Sequence, residues 1–180
     1  MHFFEVYLHP DDFEAWCVDV PHDHGEINWK YKRCQKATDV ASVKLFVYEK
    51  GVGRDYQETP LGVPVFSVRL RQIVERIAPD EVQFIPVEIE AQESYFIANV
   101  LSSVECLDFE ESLLDFKEDA AGKPIRVKGA VRLRVLPENA AGHHIFRIKE
   151  WPIPLIISQE LATAMKTEHM TGFALSPVSP

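Results

Sequence analysis

The run PVFSVRLRQIVERIA, residues 64–78, constrains the fold of this chain more than any other stretch. Phe66, Leu70, Ile73, Val74 and Ile77 recur at helical spacing, with Arg69, Arg71, Gln72, Glu75 and Arg76 on the other side. That pattern predicts one amphipathic helix over about 65–78, tolerant of Pro64 near its start and closed by Pro79. A stripe of that width must be buried against another element. Val82–Glu90 and Ser94–Leu101 supply it: two apolar strands joined by the short connection Ala91, Gln92, Glu93. Pro86 lacks an N–H for the ladder, which puts its strand at an edge or a bulge. Val104–Phe109 follows directly, so the centre is expected to run as a meander.

Around this centre, Phe3–Leu8 and Val43–Tyr48 are short β-branched and aromatic runs that predict strands, and the Gly- and Pro-bearing segment Glu49–Val63 predicts a surface loop. Ile125–Val135 alternates apolar with basic residues, interrupted at Gly129 and Ala130, as a half-exposed bulged strand would. His144–Ile148 and Ile153–Ile157 predict two further strands about a Trp151–Pro152 corner. Ser158 then reads as the N-cap of a second helix, about 159–169, with Gly172 as its terminator. The expected fold class is α+β: an antiparallel or mixed sheet with a meander-like centre, packed with two main helices. No internal repeat is visible, and 180 residues suit a single domain, 1–180, with an N-terminal lobe at 1–50.

Composition narrows function mostly by exclusion. No apolar run approaches the roughly 18 residues a spanning helix needs, so no membrane partner is expected. Met1–Asp12 has acids where a secretory signal needs bases, and Cys17, Cys34 and Cys106 are an odd, widely spaced set, which suits reduced thiols and a cytoplasmic location. A net charge of −9 disfavours nucleic acid. The negative charge is uneven: residues 1–28 hold seven acids and no Lys or Arg, and residues 103–121 hold seven acids against Lys117 alone. A basic protein partner fits such a distribution, and Asp11, Asp12, Asp19, Asp23 and Glu26 in the first block with Glu110, Glu111 and Asp115 in the second are the candidate contacts.

Chemistry-bearing patterns are sparse. Cys17, His22, Asp23, His24 and Cys34 lack the paired close ligands of a zinc site, so no metal is expected. His143 and His144 are candidates for a general base, though neighbours on a strand face opposite ways. There is no G-x-S-x-G elbow, and Gly51 and Gly53 lack the rest of a phosphate-binding loop. No catalytic residue and no cofactor follow from these patterns.

The order of certain words is more specific. VPVFSVRLRQIVERI, then VQFIPVEI, then YFIANVLSSVECLDFEES, then HHIFRIKEW with LIISQELATAMKTEHMTGFALSPV resembles the bacterial immunity proteins of polymorphic toxin systems, immunity protein family eleven, over about residues 64–177. The resemblance implies a small cytoplasmic protein that binds and neutralises a cognate toxin by occlusion, without catalysis. The toxin would present a basic surface to the acidic blocks. Arg147, within the word I-F-R, would help to hold the fold, with Asp108 as a candidate carboxylate partner. The alternatives are a hydrolase that reverses the toxin's modification through His143 or His144, or a structural module of a secretion or assembly system.

Overall fold

The computed structural model describes residues 2–19, 30–38, 41–60, 62–89 and 94–179. In chain order the elements are β1 (Phe3–Leu8), β2 (Cys17–Asp19), β3 (Val43–Lys44), β4 (Phe46–Glu49), β5 (Tyr56–Glu58), β6 (Pro64–Ser67), α1 (Val68–Ile77), β7 (Val82–Glu88), β8 (Tyr95–Val100) and β9 (Ser103–Val104). They continue with β10 (Leu113–Glu118), β11 (Pro124–Arg132), β12 (Ile145–Ile148), β13 (Leu155–Ser158), α2 (Gln159–Thr167) and β14 (Phe173–Pro177). The class is α+β, with mixed sheets. One five-stranded sheet has the order β3-β7-β8-β6-β5, a second the order β14-β1-β13-β12-β9, and β2-β4 and β10-β11 form two separate ribbons.

Four strands of each large sheet follow one plan; the fifth, β3 beside β7 and β9 beside β12, is added on opposite flanks. In the first, β6 and β7 flank β8, both antiparallel to it, and α1 connects them. In the second, β13 and β14 flank β1 in the same sense, connected by α2. The registers coincide: Phe96 of β8 lies between Phe66 and Pro86, and Phe4 of β1 lies between Ile157 and Pro177. Outside these, β5 pairs with β6 as β12 pairs with β13. Ser67 and Ser158, Leu70 and Leu161, Pro86 and Pro177, and Val87 and Val178 stand at one constant spacing along the chain. The absence of a repeat expected from the sequence is therefore corrected. Few side chains are shared, and the central strand follows β7 in one copy but opens the chain in the other.

Each copy turns from strand to helix at a serine. Ser67 Oγ accepts the N–H of Leu70 at 3.2 Å, and Ser158 Oγ that of Leu161 at 3.2 Å. Ser67 N–H donates to Asp55 O and Ser158 N–H to His144 O, both at 2.9 Å. Each serine and the three strand residues before it are buried throughout, in β6 and in β13. A continuous apolar strand running into an amphipathic helix carries no break in hydrophobicity, which is why Phe66, read as helical, belongs to β6. Ser158→Ala should cost about 1 kcal/mol, the usual worth of a cap. Ser67→Ala should cost more, because Ser67 Oγ also donates to the buried Asp55 at 2.7 Å. Urea midpoints of the two variants compare these costs directly.

Strand alternation sorts side chains into three cores. Both helices and the helix-facing residues of both sheets share one, including Phe66, Leu70, Ile73, Val74, Val6, Leu155, Ile157, Leu161 and Met165. On the other side of the first sheet, Val65, Ile85, Tyr95 and Ile97 pack with Trp16, Val18 and Leu45. On the other side of the second, Phe3, Phe146, Ile148 and Ile156 pack with Cys106, Val127, Leu133 and Val135. Each large sheet thus carries a two-stranded ribbon on the face away from the helices.

Other local expectations need correction. The segment Glu49–Val63 contains β5, whose Tyr56 and Gln57 are buried. Val43–Tyr48 divides at Leu45, with β3 joining β7 and β4 joining β2. The meander stops after β8, since β9 crosses to pair in parallel with β12. Register shifts in the β10–β11 ribbon turn Val131 outward. Helix α2 closes through His169 at φ 54, with Met170 N–H donating to Met165 O, so Gly172 is not its terminator.

Candidate binding surfaces

The interior holds the first polar group of interest. Arg147 is fully buried at the centre of β12, its guanidinium donating to the carbonyls of Pro152 (3.2 Å), Ile153 (2.7 Å) and Gly62 (3.3 Å). Nε has no partner among the described residues. The carboxyl whose field reaches it is Glu58, on β5, and not Asp108 as expected. Asp108 instead closes a turn, its Oδ1 accepting the N–H groups of Glu110 and Glu111 at 3.0 Å each. Glu58 and Arg147 occupy equivalent places in the two copies, opposite Pro64 and Leu155. Burial pushes the Glu58 carboxyl upward, while the Tyr56 hydroxyl bonded to it and the charges of Arg147 and Lys32 pull it back. Burial and the neighbouring Arg147 push Lys32 down to about 8. This cluster is enclosed, and its geometry serves the join between the copies rather than a ligand.

The histidines are likewise absorbed into the framework. His143 Nδ1 lies 2.6 Å from Glu81 Oε1, and Glu81 Oε2 accepts the N–H groups of His144 and Ile145 at 2.8 and 2.9 Å. His144 Nδ1 lies 3.0 Å from Ser158 Oγ, itself buried and already capping α2. Both histidines are half-buried and hydrogen-bonded. The cysteines are free thiols, and burial raises all three, Cys106 to about 12, which disfavours the thiolate form that nucleophiles and zinc ligands need. No cluster of metal ligands occurs among the described residues; His22, Asp23 and His24 lie outside them.

The surface is more informative, and its features lie on the two ribbons. On β10–β11 and the turn before it, Phe109, Leu113, Ile125 and Val131 are exposed, Val131 at 88%. A shallow groove of about 340 Å³ is lined by Phe109, Leu113, Leu114, Phe116, Val131 and Asp115. Glu110 and Glu111 stand exposed at its end. Asp115, however, pairs with Lys128 at 3.2 Å, and Glu105 with Lys149 at 2.7 Å. The acidic block 103–121 thus lies beside a basic strand, β11, and two of its seven acids are paired.

The second surface is built by residues 9–15 with β2 and β4. Asp12, half-buried, is held by a bidentate pair with Arg54, Nε to Oδ2 at 2.7 Å and Nη2 to Oδ1 at 2.8 Å, which lowers its carboxyl pKa. Asp12 N–H donates to His9 O, Ala15 N–H to Asp12 O, Val52 N–H to Glu14 O and Trp16 N–H to Val52 O. At the tip of this loop Phe13 is 90% exposed. Tyr48 on β4 and Val52 are also exposed, as are Asp11, Glu14 and Glu49.

Of the expected contacts, Asp11, Asp12 and Asp19 fall on this second surface and Glu110, Glu111 and Asp115 on the first; Asp23 and Glu26 lie outside the described residues. The two groups do not converge, since they belong to ribbons over different sheets. Reasoning from charge missed the apolar partners Phe13, Tyr48, Leu113 and Val131. For Phe13 and Leu113 the signal is an aromatic or branched residue set directly among acids, as in DDFEA and FEESLLDF; Tyr48, in FVYEK, and Val131, in GAVRL, carry no such signal.

Comparison with known families matches residues 22–179 to the Immunity protein family (Imm11). A search of the curated proteins found no match. Among the described residues no helix is long and apolar enough to cross a membrane.

Proposed function

The chain belongs to the Imm11 immunity protein family, and from that membership we propose that it binds a cognate bacterial toxin in the cytoplasm and neutralises it by occlusion, without catalysis of its own. The observation that carries this reading is the family match over residues 22–179, most of the chain. The surface supports it. Exposed apolar side chains stand among carboxylates on ribbons braced by large sheets, and such patches suit association with another protein. The acids contribute attraction and register toward a basic toxin face: Asp11, Asp19, Glu110, Glu111 and Asp115 directly, Asp12 by fixing its loop through Arg54, with Asp23 and Glu26 extending the first acidic block.

Co-expression with the toxin is expected to restore growth, and the two proteins should co-purify as a stable pair. Protection without a recoverable complex would overturn the reading. His143→Gln with His144→Gln, in a variant shown to remain folded, is expected to protect as well as the wild type. Loss of protection with the complex still intact would instead favour a hydrolase that reverses the toxin's modification.

A further inference from the structure

We propose that Phe13 is the central anchor of the toxin interface, inserted into an apolar recess that is ringed by Lys and Arg side chains on the toxin. This rests on the neutralising function proposed above and names the surface that performs it. An aromatic ring exposed to this degree gains nothing from the interior of its own protein. Its loop is nevertheless held in place by the fold. The bidentate Arg54–Asp12 pair crosses beneath it, and four backbone hydrogen bonds tie residues 12–16 to His9, Asp12 and Val52. Gly51 lies so close to Glu14 O and Trp16 N that a Cβ there would overlap both. A ring held in place before contact loses little conformational freedom on binding, and aromatic anchors at the centre of a patch carry most of the energy of protein interfaces.

The surroundings determine the partner's chemistry. Val52, whose N–H donates to Glu14 O, adds an exposed apolar side chain next to the loop, and Tyr48 on β4 is a further exposed ring of this surface. Asp11, Glu14 and Glu49 are exposed, against Lys44 and Lys50, while Arg54, held by Asp12, also reaches Glu14 at 3.9 Å. Carboxylates beside aromatic rings favour cations over the ring faces and at the rim. The β10–β11 ribbon holds the more basic strand, with Arg126, Lys128 and Arg132 on β11 and Asp115 paired to Lys128. The loop precedes residues 22–179, so no family-wide role is carried over to it.

The test uses full-length protein and the toxin recovered by co-purification, inactivated at its own active site. Titration calorimetry on Phe13→Ser with Tyr48→Ser should show affinity about 100-fold weaker. Asp11→Lys with Glu14→Lys should slow association about tenfold at low salt and flatten its salt dependence. Gln72→Ala, on the exposed side of α1, should bind within about threefold of the wild type, and circular dichroism should show all variants folded. Wild-type affinity in the Phe13→Ser, Tyr48→Ser variant overturns the proposal while leaving the neutralising function standing. A wild-type dimer that dissociates on the same substitutions also overturns it, since the occupant would then be a second copy of this chain. Failure of the wild type to bind any toxin removes the function and this anchor with it.

Discussion

Arg147→Ala should destabilise the protein by about 3–5 kcal/mol, a large share of the stability of a domain this size. The guanidinium satisfies three carbonyl oxygens from three residues, Gly62, Pro152 and Ile153, and its charge opposes that of the half-buried Glu58. Removing it leaves those acceptors without donors and the carboxyl without its main counter-charge. The deficit should depend on pH. A carboxyl with a raised pKa supports the fold below the ordinary value of 4.5 and loses that support as pH climbs through its folded value. Without Arg147 that folded value rises further, so the deficit should be smaller at pH 5 than at pH 8. Adding Glu58→Gln to Arg147→Met should recover much of the loss, because a neutral pair leaves no stranded charge. Urea denaturation of the single and double variants at both pH values measures this; a deficit independent of pH would show that Glu58 is not coupled to Arg147.

Gly172→Ala should cost about 3 kcal/mol or more. Gly172 sits at φ 89, a conformation L residues rarely adopt, and an added Cβ would overlap the Tyr56 carbonyl and the Arg54 side chain. The segment is a seam between the copies. Tyr56 N–H donates to Thr171 O at 3.0 Å, His9 N–H to Gly172 O at 3.1 Å, and Thr171 donates through N–H (3.0 Å) and hydroxyl (2.9 Å) to Asp55 Oδ2. Displacing Arg54 also releases Asp12, so the loop of residues 9–15 should loosen. Hydrogen exchange at Ala15, Trp16 and Val52 in the variant should accelerate well beyond what lower global stability alone produces. Unchanged relative protection there would separate the seam from the loop.

Long periodic elements were legible before any coordinates. The strand at Phe3–Leu8, the pair β7 and β8, and the Ser158 cap with its helix all follow from apolar spacing and local hydrogen bonding, which act over a few residues. What escaped depends on distant partners. β5 has three residues between glycine-bearing turns, and only its place beside β6 makes it a strand. Arg147 finds one of its three carbonyls, that of Gly62, and the charge of Glu58 across the join between copies, and not the Asp108 named as a candidate partner. The acids of the first block were visible as charge, but the exposure of Phe13 was not, because an aromatic among acids reads equally as a core residue. Family membership was readable from the order of words in the second half, and the match extends further toward the N-terminus than those words did.

The placement of β1 has a bearing on biosynthesis. This strand is made well before its neighbours β13 and β14. Elements from β5 to β8 can assemble with one another as soon as they are translated, whereas Phe3–Leu8 waits for Leu155–Ser158 and Phe173–Pro177 before it is paired on either side. Leaving β3 and β9 aside, the order β10-β11, β12, β13, α2, β14, β1 repeats as β2-β4, β5, β6, α1, β7, β8: a ribbon, two strands, a helix, two strands. Phe3 N–H donates to Ser179 Oγ and Phe3 O accepts from Val178 N–H, so residues translated about 175 positions later are the ones that fasten it.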